Sequence, residues 1–361
     1  MVGRRPLLAS GLAGAGPAPG LSFSRLALGF WRLRDWGLDG AGLRELIAAA
    51  LDLGITTFDH ADIYGDYGCE EAFGAAMRGV AGWRQRVELV SKCDIRLVSA
   101  RRPENRRHIY DTGAVHVRAS VERSLSLLGT DHLDLLLLHR PDPLLDADET
   151  AAALDGLIDA GKVRAVGVSN FTPGQVSLLA SRLRHPLVCN QVEISPLCLD
   201  AFTGGVLDQC QERRICPMAW SPLAGGALVG EGGDERARRV RAALQAVGQA
   251  LGREPGEDMG QEPGQEPGHE PGHGPGHGPG HEPGHGPGQG GDAVQAPVHA
   301  PAASVAQVAL AWLLRHPAAV VPVLGSGRVE RLREAAAACA LTLTREQWFE
   351  IWCASTGARL P

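Results

Sequence analysis

The chain predicts a (β/α)8 barrel, on three observations. Eight short apolar segments are each followed by a segment whose apolar residues recur at helical spacing. Asp59, Lys92, His139, Ser169, Asn170, Gln191 and Ser221 fall at or just beyond the C-terminal ends of those strands, which in a barrel share one face. A doubly wound sheet, the competing fold, would carry G-x-G-x-x-G after its first strand, and none is present.

The elements follow in order. Leu26 opens LALGF, a short buried strand with Trp31–Arg32 past its end. Gly40–Leu53 has helical spacing and stops at Gly54. Ile55–Asp59 is the second strand and runs into FDHADIYG, Phe58–Gly65, ahead of a short helix at Glu70–Met77. Val87–Ser91 is the third strand, with Lys92 at its end, and Val115–Leu128 is a helix. Leu133–Leu138 is almost wholly apolar, as a parallel strand covered on both faces should be, and His139 follows it.

A helix at Thr150–Ala160 closes on Gly161, and Val163–Val168 is the fifth strand, ending in Ser169–Asn170. Thr172 caps a helix at Pro173–Arg182, with Pro at its first position. Val188–Cys189 is a short sixth strand before Asn190–Gln191, and a helix follows near Leu207–Arg213. Cys216–Ala219 is the seventh strand, with Trp220–Ser221 beyond it, and Glu235–Leu251 and Ser304–Arg315 are helices. Val320–Leu324 is the last strand, Gly325–Ser326–Gly327 opens a helix over Val329–Ala338, and Thr344 caps a final helix from Arg345 to about Ala354.

Two stretches stand outside the repeat. Residues 1–25 read as an irregular lead-in or a hairpin before a barrel spanning 26–361. Arg4–Arg5 has the form of a twin-arginine export signal, but Pro6, Pro17 and Pro19 cut a weakly hydrophobic stretch. Residues 254–301 break the pattern: from Gln261 to Gly288 the text repeats in fours as QEPG, HEPG and HGPG, without an apolar face, and the insert reads as a disordered loop between two helices of one barrel. His269, His273, His277, His281 and His285 recur every fourth residue. In a Pro-Gly repeat that spacing does not align them, so adventitious Ni²⁺, Cu²⁺ or Zn²⁺ binding is expected rather than a dedicated site.

Composition narrows the function. The 361 residues fit one large barrel or two ordinary domains, with apolar content sufficient for a sizeable core. A net charge of −6 without a long basic run argues against nucleic acid or an anionic membrane as partner. No apolar run is long enough to span a bilayer. The eight cysteines form no C-x-x-C pair and show no zinc-ligand spacing with histidine; they read as buried thiols in a reducing, cytoplasmic setting.

Chemistry centres on FDHADIYG, where Asp59 stands five positions before Tyr64, one of three tyrosines. A free phenol titrates near 10, so Tyr64 needs a cationic neighbour to exchange protons near neutrality. Taken singly, a lysine after a strand is ordinarily solvated, an aspartate in a turn is ordinarily a cap, and a lone histidine is ordinarily a satisfied core residue. These three with Tyr64, at three neighbouring strand ends of one barrel face, make a stronger pattern.

Asp59-x4-Tyr64, Lys92 after VELVS and His139 after HLDLLLL resemble the tetrad of the aldo-keto reductases. GVSNF (Gly167–Phe171), NQVE (Asn190–Glu193), WSPL (Trp220–Leu223) and GSGRVERLRE (Gly325–Glu334) add to the resemblance, which runs from about Leu26 to the end apart from the insert. FDHADIYG, HLDLLLLHRPDP, NQVEISP and TREQWF resemble the bacterial YdhF-like branch.

The resemblance implies reduction of aldehydes or ketones to alcohols with NADPH, NADH being the less favoured cofactor, and without a metal. Tyr64 is implied as proton donor, Lys92 as the charge that lowers its pKa, Asp59 as the anchor of the ammonium, and His139 as the hydrogen-bond donor that orients the carbonyl. Ser169, Asn170 and Gln191 are implied to hold the nicotinamide carboxamide and Trp220 to stack on its ring. Ser221, Pro222 and Leu223 begin the loop along the pyrophosphate. Ser326 and Arg331 are implied for the 2′-phosphate and Glu334 for the adenine. Backbone N–H groups of Gly325, Ser326, Gly327 and Arg328 suit an anion at a helix start in any family. Many members carry Lys before this Ser, where Gly325 stands, and Arg328 is expected to compensate.

Trp31 is implied in the substrate pocket, with Arg140, Asp142 and Tyr67 as further candidates. The short stretch after Trp348 implies an open pocket of broad acceptance. A small-molecule carbonyl compound is the expected partner, with substrate identity and oligomeric state open. A second reading makes the chain a regulatory subunit that keeps the nicotinamide site and binds a protein partner, as potassium-channel β subunits do. A third, a barrel that only binds phosphate, leaves the tetrad unexplained.

Overall fold

The computed structural model describes residues 1–6, 21–252 and 302–360. The expectations for residues 254–301, including the five histidines, lie outside the described residues. Eight parallel strands close a barrel: β1 (Ala27–Gly29), β2 (Thr57–Asp59), β3 (Glu88–Cys93), β4 (Leu135–Leu138), β5 (Val166–Ser169), β6 (Leu187–Glu193), β7 (Cys216–Trp220) and β8 (Val321–Leu324). Each strand pairs with the next, and β8 returns to β1 through Val323 beside Ala27 and Leu324 beside Leu28.

Alternation along the strands sorts the apolar residues into two layers. In β4 all four leucines are buried. Leu135 and Leu137 fill the barrel interior with Ala27, Val90, Ala165, Val188, Met218 and Val321. Leu136 and Leu138 instead pack with the helices outside. Two apolar faces explain the unbroken run LDLLLL.

The helices begin where side chains cap them. They are α1 (Gly40–Asp52), α2 (Cys69–Met77), α3 (Ala114–Leu128), α4 (Ala147–Asp159), α5 (Pro173–Ala180), α6 (Val206–Arg213), α7 (Glu235–Leu251), α8 (Val305–Leu314), α9 (Val329–Ala337) and α10 (Arg345–Thr356). Thr172 with Gln175, Ser304 with Gln307 and Thr344 with Gln347 form reciprocal capping boxes on α5, α8 and α10. Helix α4 starts three residues before the expected Thr150. Asp146 accepts from the N–H groups of Asp148 and Glu149, a cap that apolar spacing does not reveal. Helices α7 and α8 meet where Ala303 N–H donates to Gly248 O at 3.1 Å, with no room there for a Cβ on Gly248.

A two-stranded ribbon lies at the N-terminal end of the barrel. Arg4–Pro6 pairs antiparallel with Ser22–Ser24. Leu21 and Phe23 enter the barrel interior. Arg4 donates to Glu88 Oε1 at 2.6 Å, and Glu88 Oε2 accepts from the hydroxyls of Thr56 and Thr57 at 2.7 and 3.2 Å. The opposite end stays open for chemistry.

Four features differ from expectation. Strand β3 continues through Lys92 and Cys93, and β6 runs from Leu187 to Glu193 with Asn190 and Gln191 inside it. Polar side chains at the top of a barrel point into the site, so the strand outlasts its apolar text. A hairpin, Ile95–Arg96 with Ile109–Tyr110, follows β3, and a one-turn helix at Asp200–Thr203 precedes α6. Ile109 and Tyr110 are largely exposed, so no buried face marks that hairpin. Among the described residues, no helix is long and apolar enough to cross a membrane.

Candidate active site

Asp59, Lys92, Ser169 and Gln191 come from β2, β3, β5 and β6, and their side chains meet at the C-terminal face. Lys92 Nζ is fully buried and makes four contacts at 2.8 Å: both oxygens of Asp59, the carbonyl of His60 and the hydroxyl of Tyr64. Gln191 Nε2 donates to Asp59 Oδ1 at 2.8 Å. The ammonium is therefore charge-matched and saturated, and it cannot swing away from the phenol. Burial acts to lower its pKa, yet Asp59 and Tyr64 carry it above the ordinary lysine value, so Lys92 is a cation.

At Tyr64, Lys92 acts in the expected direction but burial outweighs it. Burial pushes the phenol up to about 12. The Lys92 charge does lower it, but that effect is smaller than burial, and Asp59 opposes it. Tyr64 is thus a neutral acid throughout the physiological range. Its presentation depends on an unusual turn: Gly65, Asp66 and Tyr67 all lie at left-handed φ, 57°, 55° and 59°. A Cβ on Gly65 would stand 2.5 Å from Cys69 Sγ and 2.8 Å from Arg34 Cδ, so only glycine fits.

His139 lies beside the phenol, with ring centroids 5.9 Å apart and the rings edge to face. Burial first, then Lys92 and Arg140, hold its pKa well below the usual histidine value. The imidazole is neutral, and buried Nδ1 has no hydrogen-bond partner. Placing the proton on Nε2 leaves Nδ1 bare and gives Nε2 a donor.

Two strand exits are strained. Asn170 and Ser221 adopt φ of 63° and 49°, a region uncommon for such residues and frequent at functional sites. Asn170 is locked: its amide donates to His139 O at 3.2 Å and Ser169 Oγ at 2.9 Å, and its carbonyl accepts from Trp220 Nε1 at 3.0 Å. Ser169 Oγ donates to the Gln191 carbonyl at 2.8 Å. The indole of Trp220 is thereby fixed at its edge, with its faces left for packing or stacking.

A cavity of about 980 Å³ runs from this cluster across the barrel face, at the upper end of the size of ligand pockets. At one end it is lined by Trp31, Tyr64, His139 and Arg140, and it passes Ser169, Asn170, Gln191, Trp220 and Ser221–Leu223. At the other end lie Gly325, Ser326, Arg331 and Glu334. Arg241 donates to the carbonyls of Ala227 and Gly232 at 2.8 and 2.6 Å and so holds the loop that forms one wall. Arg328 and Arg331 make no ion pair among the described residues; Glu334 accepts from Ser304 Oγ. Gly327 and Arg328 do not line the cavity; Gly327 packs against Trp36.

The cleft is long, with a guanidinium and backbone N–H groups at one end, an indole at its waist and a neutral phenol at the far end. The family comparison decides what kind of protein this is, because the Aldo/keto reductase family matches residues 25–353. The chain belongs to the aldo/keto reductase family. It is 42% identical over 342 residues to the oxidoreductase YdhF of Escherichia coli (strain K12), covering 95% of this chain and 97% of the relative. It is also 42% identical over 340 residues to the 6-dehydroglucose reductase of Agrobacterium fabrum, covering 93% and 96%. The crystal structure of the thermostable aldo-keto reductase Tm1743 in complex with the inhibitor epalrestat shares the fold, with TM-score 0.67 and 24% identity over 93% of this chain and 97% of that one.

This aldo/keto reductase departs from the sequence reading around the substrate end. Tyr67 and Asp142 do not line the cavity. Tyr67 is buried and accepts from Leu97 N–H at 2.7 Å, and Asp142 accepts from the N–H and hydroxyl of Thr112. Arg140 lines it, as does Arg32, which the sequence reading placed only past a strand end. Two anchors had no sequence signal: the His60 carbonyl, a backbone atom, and the Gln191 amide on Asp59. Among the described residues none after Ala335 lines the cavity. The C-terminal helix α10 instead packs on α7, where Arg236 donates to Ser355 O at 2.8 Å.

Proposed function

We propose that this aldo/keto reductase reduces an aldehyde or ketone to the alcohol with NADPH, using Tyr64 as proton donor. The observation that carries the reading is the saturated Asp59–Lys92–Tyr64 chain, which ends in a half-buried neutral phenol on the cavity wall.

NADPH, when bound, supplies the hydride. Its carboxamide is assigned to Ser169, Asn170 and Gln191, and its ring to the face of Trp220. Its phosphates are assigned to Ser221, Pro222 and Leu223 and to the start of α9, with Gly325, Ser326, Gly327, Arg328 and Arg331, and its adenine to Glu334. The unpaired guanidiniums of Arg328 and Arg331 favour the 2′-phosphorylated form. Arg331 lines the cavity and carries the larger share.

The substrate carbonyl lies between Tyr64 and His139, with Trp31 at the mouth. His139, neutral, donates from Nε2 to the carbonyl oxygen and stabilises negative charge there. Tyr64 Oη–H then breaks as the alkoxide O–H forms, and Lys92 Nζ stabilises the phenolate left behind. Asp59 keeps Lys92 in place and its field balanced.

The test is loss of reduced-nicotinamide absorbance with a panel of aldehydes and ketones, 6-dehydroglucose among them because one relative bears that name. Turnover with NADPH that exceeds turnover with NADH supports the reading, and Arg331→Ala should erase that difference. No turnover of any member with either nucleotide would refute it.

A further inference from the structure

We infer that the preferred substrate is a carbonyl compound carrying an anionic group, bound through Arg32 and Arg140 at the mouth of the cavity. The inference rests on the reductase reading above and adds the charge of the substrate.

Arg32 and Arg140 both line the cavity, beside Trp31, Tyr64 and His139 in its wall. Neither is held by a carboxylate: Arg32 and Arg140 make no ion pair among the described residues. Each lies instead against an indole, Arg32 at 5.1 Å from the centre of the Trp31 ring and Arg140 at 5.9 Å from that of Trp220. A guanidinium beside an aromatic ring and without an ion pair has N–H groups to offer, and its fork matches an oxyanion at two points.

Among the described residues, no carboxylate of the cavity wall forms an ion pair with either arginine. Three carboxylates line the whole cavity: Asp59, Glu231 and Glu334. Asp59 is taken by Lys92, and Glu334 accepts from Ser304 at the opposite end. Glu193 feels Arg140 electrostatically but does not line the cavity. The chain as a whole is acidic, at −6, so two unpaired cations beside the reacting centre are not a reflection of composition.

Position supports recognition rather than surface decoration. Arg140 directly follows His139, and its backbone N–H is fixed by both oxygens of buried Asp94 at 3.2 Å. Arg140 is close enough to contribute to the neutral state of His139. A substrate anion paired with Arg140 therefore sits a few bonds from the carbonyl held by His139 and Tyr64. Trp31, 59% exposed, offers a flat apolar wall between the two ends of such a molecule.

The experiment compares 4-carboxybenzaldehyde with its neutral methyl ester, at equal concentrations of NADPH and low salt, on the full chain. The expected ratio of kcat/KM, carboxylate over ester, is about tenfold, and it falls as ionic strength rises. Arg140→Gln and Arg32→Gln each lower the ratio, the double variant brings it to about one, and Arg140→Glu takes it below one. A wild-type ratio near one, or a ratio the double variant leaves intact, overturns the inference. Binding of 4-(hydroxymethyl)benzoate and its methyl ester, followed by tryptophan fluorescence, reads the same preference without turnover. Failure of the reductase reading, with no turnover of either aldehyde, is thus distinguished from failure of the charge preference.

Discussion

Lys92 Nζ stands 2.8 Å from Tyr64 Oη while both oxygens of Asp59 hold it from the other side at the same distance. The phenol therefore faces a cation that is already neutralised. Burial keeps Tyr64 protonated against the Lys92 charge, and in the proposed reaction Lys92 stabilises the negative charge that would arrive on the tyrosyl oxygen.

Removing the cation should cost stability as well as activity. Lys92→Met leaves Asp59 buried and short of its main partner, with Gln191 as the remaining side-chain donor. Breaking a buried pair costs about 3–5 kcal/mol. Urea denaturation should show a loss of that order, and carbonyl reduction should disappear. A variant as stable as wild type would mean that Asp59 finds another partner or a proton.

Acid stability should depend on His60. Its ring lies stacked on Phe30, centroids 4.4 Å apart, with Phe73 edge-on at 4.7 Å, and neither ring nitrogen has a partner. Burial first, then Lys92, lower its pKa from 6.5 to about 3. Between those values the unfolded chain binds a proton that the folded chain does not, so stability is full above pH 6.5 and falls as pH drops toward 3. His60→Phe keeps the aromatic stack and the carbonyl that serves Lys92. The loss of stability between pH 7 and pH 4 should shrink in the variant, whatever its absolute stability at pH 7. His139, also buried and neutral, keeps part of the slope.

Gly65→Ala tests the turn that presents Tyr64. The left-handed backbone alone costs a β-carbon about 1–2 kcal/mol, and the new methyl must displace Cys69 Sγ or Arg34. Arg34 also donates to Gly65 O at 3.0 Å. The denaturation midpoint should fall, and kcat should fall further than nucleotide affinity does, because the turn carries the phenol and none of the nucleotide contacts. Equal losses in both would assign Gly65 a purely structural role.

The pH profile of reduction follows from the phenol. With Tyr64 raised to about 12, the proton donor is loaded across the neutral and mildly alkaline range. The kcat/KM for reduction should therefore show no loss from Tyr64 ionisation between pH 6 and 9. A falling limb centred near 7 or 8 that moves in Lys92 variants would mean that the phenol titrates far lower than burial implies.

Much of this was legible in the sequence, for identifiable reasons. LDLLLL reads as a doubly covered strand because both of its faces are buried, and Thr172, Ser304 and Thr344 begin helices because their hydroxyls satisfy N–H groups. Asp59, Tyr64, Lys92 and His139 were found because each ends or follows an apolar run. The extent of β6 was missed because Asn190 and Gln191 are polar, although they point into a site where polarity belongs. The His60 carbonyl escaped notice because a backbone acceptor has no residue-type signature. The direction of the Tyr64 shift needed the depth of burial, which competes with the Lys92 charge and cannot be read from spacing. Arg32 emerged only once the cavity showed which side chains lack a carboxylate.

The most direct measurement is steady-state NADPH-dependent reduction of an accepted aldehyde by Tyr64→Phe, alongside NADPH titration of the same variant by tryptophan fluorescence. The substitution removes one oxygen and leaves the ring against His139. The expected result is a fall in kcat of about 10²–10⁴-fold, with NADPH affinity changed by less than about threefold. Turnover close to wild type, at intact NADPH binding, would contradict the assignment of Tyr64 as proton donor and with it the central claim.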